Sequence, residues 1–249
     1  MKISVVTVAY ESVETIGDTL ASVRAQTHPD VEHVVVDGAS KDGTIELVRR
    51  EATPSMRIVS EPDRGIYDAM NKGIGLASGD VIGILNSDDV FAGPDVLAQV
   101  AQALESSRAD MVHGDLVYVA REDTERVLRR WASGPFVPGS FRHGWHPPHP
   151  ALYLTRAAYD AVGPYRLDFR IASDFDFMLR AFECVRLQSH YLPETLVRMR
   201  AGGASNRSSA ILPQNREVLR SFRDNRVPVA PVSYLVGRFG AKLRQYLGA

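Results

Sequence analysis

Residues 4–38 read SVVTVAYESVETIGDTLASVRAQTHPDVEHVVVDG. Two valine-rich runs, Ser4 to Ala9 and Val31 to Val36, flank a segment in which Ile16, Leu20 and Val23 recur at helical spacing. Short β-branched runs without polar alternation predict strands buried on both faces. A strand, a helix and a second such strand form a unit whose strands run parallel, because the helix carries the chain back across the sheet.

The same alternation continues outward. Asp37-Gly38 ends the second strand, and Ser40, Asp42 and Thr44 offer caps for a helix over Ile45 to Arg50. Met56 to Ser60 predicts a third strand and Val81 to Leu85 a fourth. Ile66 to Ala77 is helical by the spacing of Ile66, Met70 and Ala77, despite Gly73 and Gly75. Pro94 predicts the first turn of another helix, ending near Ser106. The expected fold class is α/β, with a mostly parallel central sheet flanked by helices. Such sheets bind ligands beyond the carboxyl ends of their strands. Three of those ends carry polar clusters: Tyr10-Glu11, Asp37-Gly38 and Asn86-Ser87-Asp88-Asp89.

The second half reads differently. Met111 to Trp131 predicts antiparallel strands around a charged turn at Arg121-Glu122-Asp123. Phe136 to Pro150, rich in Gly, Pro and His, reads as a loop, and long ordered loops are often functional. Ala151 to Leu154 reads as a strand, Phe175 to Phe182 as a short helix, and Ala201-Gly202-Gly203-Ala204-Ser205 as a mobile loop. From Arg216 the chain is basic, with Tyr234, Leu235, Phe239, Leu243, Tyr246 and Leu247 interleaved at roughly helical spacing. That pattern suits an anionic membrane surface, or a terminal helix docked with its basic face in water. The expected divisions are 1–110, an α/β half, 111–210, a half with antiparallel strands, and 211–249, the basic tail.

Composition narrows the class. Among 249 residues, Lys and Arg number 29 against 30 Asp and Glu, a net charge of −1. No global field draws the chain to nucleic acid. The single cysteine, Cys184, excludes an internal disulfide or a cysteine zinc cluster. No uncharged run approaches the ~18 residues of a spanning helix. The N-terminal apolar run is too short for a signal peptide, so a cytoplasmic protein is expected, with the tail at the inner membrane face.

Several residues carry candidate chemistry. Adjacent Asp88 and Asp89 repel each other, and a divalent cation such as Mg²⁺ or Mn²⁺ relieves that repulsion; the alternative is an acidic turn capping the next helix. Asp37 suits hydrogen bonds from a ribose or a base N–H, and Tyr10 suits stacking on a base or packing at the sheet edge. Neither G-x-G-x-x-G nor G-x-x-x-x-G-K-[ST] follows the first strand, which disfavours dinucleotide oxidoreductases and P-loop enzymes. Arg64, just before a helix start, suits a diphosphate. Asp68 and Lys72 join it as nucleotide candidates, or form an i,i+4 ion pair.

Taken in order, Thr7-Val8-Ala9-Tyr10, Asp37-Gly38-Ala39-Ser40-Lys41-Asp42-Gly43-Thr44, the block Glu61 to Gly73 and Asn86-Ser87-Asp88-Asp89 resemble the family 2 glycosyltransferases. Asp174-Phe175-Asp176-Phe177-Met178-Leu179-Arg180 is similar to a later acidic motif of that family. The Gly65 to Ile74 string looks closest to colanic-acid-type transferases of bacterial polysaccharide assembly. The resemblance implies a GT-A fold, with a nucleotide-sugar-binding half over 1–110 joined to an acceptor-binding and catalytic-base half over 111–210. It implies inverting, metal-dependent transfer of a sugar from a nucleotide diphosphate donor, UDP-linked by expectation, to a glycan or lipid-linked acceptor. It implies that Thr7, Val8, Ala9, Tyr10, Glu11 and Asp37 hold base and ribose, and that Arg64 meets the diphosphate. It implies that Asp89, then Asp88, contacts Mn²⁺ or Mg²⁺, with Asp88 also a ribose candidate. Asn86 stands where the metal motif has its first acid. Asp174 matches the catalytic base, with Ser173 in place of a neighbouring acid, and Asp176 competes for the role. His149 and Trp145 are candidates for donor or acceptor contact. Gly202-Gly203 resembles a closing segment.

Two other readings compete. A sugar nucleotidyltransferase would carry a glycine-rich basic turn after the first strand, and Thr7 to Ser12 has none. A nucleotide-sugar-binding protein with a decayed site draws on Asn86 and Ser173, against intact Asp37, Asp88, Asp89 and Asp174.

Overall fold

The computed structural model describes residues 1–202 and 211–247. The expected alternation holds through the first half: β1 (Ile3–Ala9), α1 (Ile16–Arg24), β2 (Val31–Asp37), α2 (Thr44–Arg50), β3 (Met56–Ser60), α3 (Ile66–Leu76) and β4 (Val81–Ile84). Next come β5 (Val90–Phe91), α4 (Val96–Ser107), β6 (Met111–Val119) and β7 (Val127–Trp131). Two 3₁₀ turns, Ser140–His143 and His149–Ala151, precede β8 (Leu152–Thr155), α5 (Arg156–Val162) and α6 (Ser173–Leu179). The chain ends with β9 (Ser189–Arg200), α7 (Ile211–Asp224) and α8 (Pro231–Leu247).

Among the described residues all nine strands join one sheet, in the order β3-β2-β1-β4-β8-β6-β9-β5, with β7 paired to β6. The two longest ladders, β1 with β2 and β6 with β9, are parallel. The direction changes at β8, which runs antiparallel to both β4 and β6. This is the expected α/β architecture, a mostly parallel sheet between helices. β1 is buried along its whole length because α3 covers one face and α1 with α4 the other. Gly73 lets α3 lie close to β1: an added Cβ there would fall 2.3 Å from Val6 Cγ1.

Three local readings change. β9 was not expected, because Pro193, Glu194 and the charged residues near it hide its apolar side. Its pairing with β6 also shifts register between His113 and Leu116. Pro94 precedes α4 rather than opening it, since its carbonyl accepts from Thr27 N at 2.9 Å. The basic tail forms two helices, α7 and α8, instead of one. Of the expected mobile loop, residues 203–205 lie outside the described residues.

Candidate active site

The parallel register aligns the carboxyl ends of β1, β2 and β4, with Ala9 opposite Asp37 and Gly38 N donating to Ala9 O at 2.9 Å. The three following loops are stitched together by side chains. Glu11 N donates to Ser40 Oγ (2.9 Å), and Glu11 Oε1 accepts from Lys41 N (3.0 Å). Ser12 N donates to Thr44 Oγ1 (2.8 Å), and Ser87 Oγ to Ser12 Oγ (2.8 Å). Short polar side chains at strand ends thus build one rigid edge, because Ser40, Thr44 and Glu11 accept from loop backbone N–H groups and Ser87 ties the third loop to Ser12.

Tyr10 projects from this edge, 67% exposed. Beside it Gly38 forms a floor: a Cβ there would lie 2.7 Å from Asp63 Oδ2 and 3.2 Å from Tyr10 Cδ2. Tyr10, Gly38 and the half-buried Asp63 therefore outline a crevice wide enough only while position 38 lacks a side chain. Asp63 was missed as a candidate, although it stands right after β3 in the Glu61 to Gly73 block. Asp37 lies beneath, fully buried, accepting from Ser40 N (3.1 Å), Ser40 Oγ (2.5 Å) and Ser60 Oγ (2.6 Å). It shapes the turn and exposes no oxygen, which corrects the expectation of direct contact. Thr7, Val8 and Ala9 are likewise inside the sheet, Thr7 sharing a 2.9 Å hydrogen bond with His33. Of the expected turn, only Tyr10 and Glu11 reach solvent.

The loop after β4 holds the acidic pair. Asp89 is fully buried, and Asp88 half-buried. Burial, then the negative charge of Asp88, pushes the Asp89 carboxyl well above its usual range. Asp88 is raised too, chiefly by burial, against the charges of Arg200 and Arg121. Asn86 Nδ2 donates to Asp89 Oδ2 at 3.1 Å, while Asn86 Oδ1 and Asp89 Oδ1 are buried acceptors facing no donor. Orphaned buried oxygens beside a half-buried carboxylate fit a hard divalent cation, whose preferred ligands are oxygens. The order of candidates reverses, since Asp88 rather than Asp89 has surface to offer. Among the described residues, no cluster of three His, Cys, Asp or Glu has metal-binding spacing.

Arg200, at the end of β9, was not foreseen. It is only 5% exposed, and it donates to Asp88 O (2.8 Å) and Arg121 O (3.0 Å) and pairs with Asp18 (2.5 Å). Its signal was invisible without β9, because Asp88 and Arg200 lie 112 positions apart.

At the start of α3, Arg64 pairs with Asp68 (2.9 Å), whose carboxylate also accepts from Arg64 N (3.1 Å). Lys72 pairs with Glu61 (2.8 Å) and donates to Pro62 O (2.9 Å), with Asp68 at 4.0 Å. Asp68 and Lys72 thus brace the connection from β3 to α3, the ion-pair alternative. Arg64 remains exposed at the mouth of a cleft lined by Tyr67, Leu167 and Arg170.

Tyr67 joins the two halves. Its hydroxyl lies 2.7 Å from Ile171 O and 3.2 Å from Asp174 Oδ1. Burial and then the charge of Asp174 raise this phenol well above its usual range, so it stays a donor. Asp174 is half-buried at the start of α6, where Phe175 N donates to its Oδ1 at 2.8 Å. Asp176 points the other way. Fully buried, it pairs with Arg180 (2.9 Å) and accepts from Ser221 Oγ and Asn225 Nδ2, both at 2.8 Å. That satisfied network removes it from substrate and corrects its place as a candidate base.

His149 is buried, sharing a 2.7 Å hydrogen bond with the Tyr165 hydroxyl, and burial lowers its pKa. It supports Tyr165 instead of meeting a ligand. Trp145 donates to Ser133 O at 2.6 Å and packs among Phe136, Phe141 and Phe182. It anchors the loop, because its ring is engaged by the core.

The family model "Glycosyl transferase family 2" matches residues 4–166. An uncharacterized glycosyltransferase of Mycobacterium tuberculosis is 34% identical over 195 residues, covering 72% of this chain and 68% of that protein. In fold, the chain is similar to residues 1–349 of Staphylococcus aureus TarS in complex with UDP. The TM-score is 0.67 at 19% identity, over 92% of this chain and 66% of that one. It is also similar to the mannosyltransferase PcManGT of Pyrobaculum calidifontis in complex with GDP-Man and Mn²⁺. There the TM-score is 0.64 at 20% identity, over 100% of this chain and 76% of that one. By this match and by a strand-end edge that carries its motifs, the chain belongs to glycosyl transferase family 2.

Proposed function

We propose that this chain is an inverting glycosyltransferase that takes a sugar from a nucleoside diphosphate donor, UDP-linked by preference, to an acceptor hydroxyl in polysaccharide or glycolipid assembly. The observation that carries this reading is the Tyr67–Asp174 hydrogen bond, which ties a half-buried carboxylate to the helix following the β3 strand end. The fold likeness to a UDP complex supports the donor class, and the Gly65 to Ile74 string supports the assembly context.

In this reading residues 1–110 bind the donor and 111–210 the acceptor. Tyr10 stacks on the base over Gly38, and the Asp63 carboxylate accepts a base N–H. Asp88, with the oxygens of Asn86 and Asp89 behind it, holds Mn²⁺ or Mg²⁺. The bound cation supplies positive charge to the diphosphate as it leaves. Arg64 adds a guanidinium from the same side. Asp174 accepts the proton of the attacking hydroxyl, and the Tyr67 hydroxyl fixes which carboxylate oxygen is left for that task. Holding both sugars in line lowers the orientational cost of the encounter.

Calorimetric titration of UDP and GDP, with and without Mn²⁺, tests the donor side on wild type and Asp88→Ala. Metal-dependent binding of one nucleotide, lost in the variant, is the expected result. If neither nucleotide binds wild type under any metal condition, the donor assignment fails.

A further inference from the structure

Helix α8 docks through Tyr234, Gly237 and Arg238 and turns Val232, Leu235, Val236 and Phe239 outward. Tyr234 is buried against Phe175 and Phe222. Gly237 lies on the 3₁₀ turn so closely that an added Cβ would fall 2.0 Å from His143 O. Gly144, at φ +79°, meets the Arg238 backbone in the same way, with an added Cβ 2.3 Å from Arg238 N. Arg238 donates to Gln214 (3.0 Å), Asn215 (3.3 Å) and the Tyr234 hydroxyl (3.0 Å). Two backbone-to-backbone contacts and an arginine clamp leave the helix one rotation about its axis.

That rotation exposes the wrong side for a helix ending in water. Val232, Val236 and Phe239 are 74%, 66% and 72% exposed, with Leu235 beside them. Spacings of three and four residues put all four on one stripe. Surface helices ordinarily bury such a stripe, and single exposed apolar residues do not form one. Solvent cost therefore points to a surface that covers it.

We propose that α8 seats this protein on an anionic lipid bilayer, with the Val232–Phe239 stripe lying in the interface plane. Charge selects this occupant over a second copy of the chain. No Asp or Glu follows Asp224, whereas Arg226, Lys242 and Arg244 do, besides the docked Arg238. Face-to-face pairing of two copies would bring these cations together, and an anionic headgroup layer neutralises them. The chain as a whole is near neutral, so this excess is local. Interfacial seating needs no span, and no helix among the described residues is long and apolar enough to cross a membrane. Each half of the pattern has its own role: apolar burial supplies depth and the cations supply lipid selectivity.

The test uses the whole chain and no sugar donor, so it stands apart from the activity assay. Vesicle flotation compares phosphatidylcholine alone with phosphatidylcholine mixed with phosphatidylglycerol. Binding to the mixed vesicles, weakened by salt, is expected. The double variant Val236→Ser/Phe239→Ser should bind at least ~10-fold more weakly. Lys242→Gln/Arg244→Gln should lose the preference for phosphatidylglycerol. Because Val236 and Phe239 are exposed, the serine variant should keep the wild-type melting temperature. A Phe239→Trp probe should shift its emission to the blue on the mixed vesicles. Absence of vesicle binding at low salt overturns the proposal. So does undiminished binding by the serine variant, or a dimer by light scattering that the serine variant abolishes while vesicles go unbound.

Discussion

Asp174 and Asp176 stand two positions apart on one short helix, yet their surroundings give them opposite tasks. Asp174 has one neutral donor from Tyr67 and one backbone N–H, and surface to spare. Asp176 is enclosed with Arg180, Ser221 and Asn225. Asp174→Asn should lower sugar transfer by about 10²–10⁴-fold in a steady-state assay, with nucleotide affinity unchanged by calorimetry. Asp176→Ala should instead cost about 3–5 kcal/mol in urea unfolding, because it removes the buried acceptor shared by Arg180, Ser221 and Asn225. Equal loss of transfer in both, at wild-type stability, would refute the division. Arg200 acts through Asp88, whose carbonyl it holds. Arg200→Ala should weaken metal-dependent nucleotide binding by roughly 10-fold or more, while the metal-independent part of binding stays unchanged.

At the scale of the element, α3 carries two glycines in different surroundings. Gly73 faces Val6 so closely that an added Cβ would fall 2.3 Å from its Cγ1, whereas a Cβ at Gly75 meets nothing within 4 Å. Alanine is worth about 1 kcal/mol over glycine inside a helix. At position 75 that gain stands alone, so Gly75→Ala should raise the urea midpoint. At position 73 overpacking costs about 1–3 kcal/mol and outweighs it, so Gly73→Ala should lower the midpoint. Both variants should keep the wild-type slope; a higher midpoint for Gly73→Ala would show that α3 does not rest on β1. Helices α7 and α8 teach a related lesson. Their periodicity was readable, but the side turned to the protein depended on Gly237 and Gly144, which lie far apart in the chain.

Across the whole molecule, burial holds His33 and His113 neutral. Their pKa values fall from 6.5 to about 4, in both cases chiefly by desolvation. Between those limits the unfolded chain binds protons that the folded chain refuses. Unfolding is therefore favoured as pH falls from 6.5 to 4, by about 1.4 kcal/mol per pH unit for each such histidine. Glu32 extends the loss. Burial raises its carboxyl, but hydrogen bonds from Ser4 and Ser78 and the charge of Lys2 outweigh this and bring it from 4.5 to about 2. Its stabilisation is present above 4.5 and disappears as pH falls toward 2. Thermal melts should decline on acidification from pH 6.5, less steeply than the histidines alone dictate, because the raised carboxyls of Asp89 and Asp88 take up protons in the folded state; a melting temperature that rises from pH 6.5 to pH 4 would count against buried neutral histidines.

The first half of the sheet and the family were legible in the order of the residues alone. Valine runs such as Val34-Val35-Val36 bury both faces, and that requirement is local enough to read from the residues alone. The motif segments at the strand ends could be named for the same reason, since each follows its strand directly. Which of their side chains reach solvent was decided only by tertiary structure. Asp37 turned inward to Ser40 and Ser60, Asp89 sank below Asp88, and Asp176 met Arg180, each because a distant or neighbouring element closed over it. Asp63 became a candidate through Gly38, 25 positions earlier, and Arg200 through Asp88. Burial and long-range hydrogen bonding depend on how elements pack, and for Asp37 with Ser60, Gly38 with Asp63 and Asp88 with Arg200 no short window of sequence contains both partners.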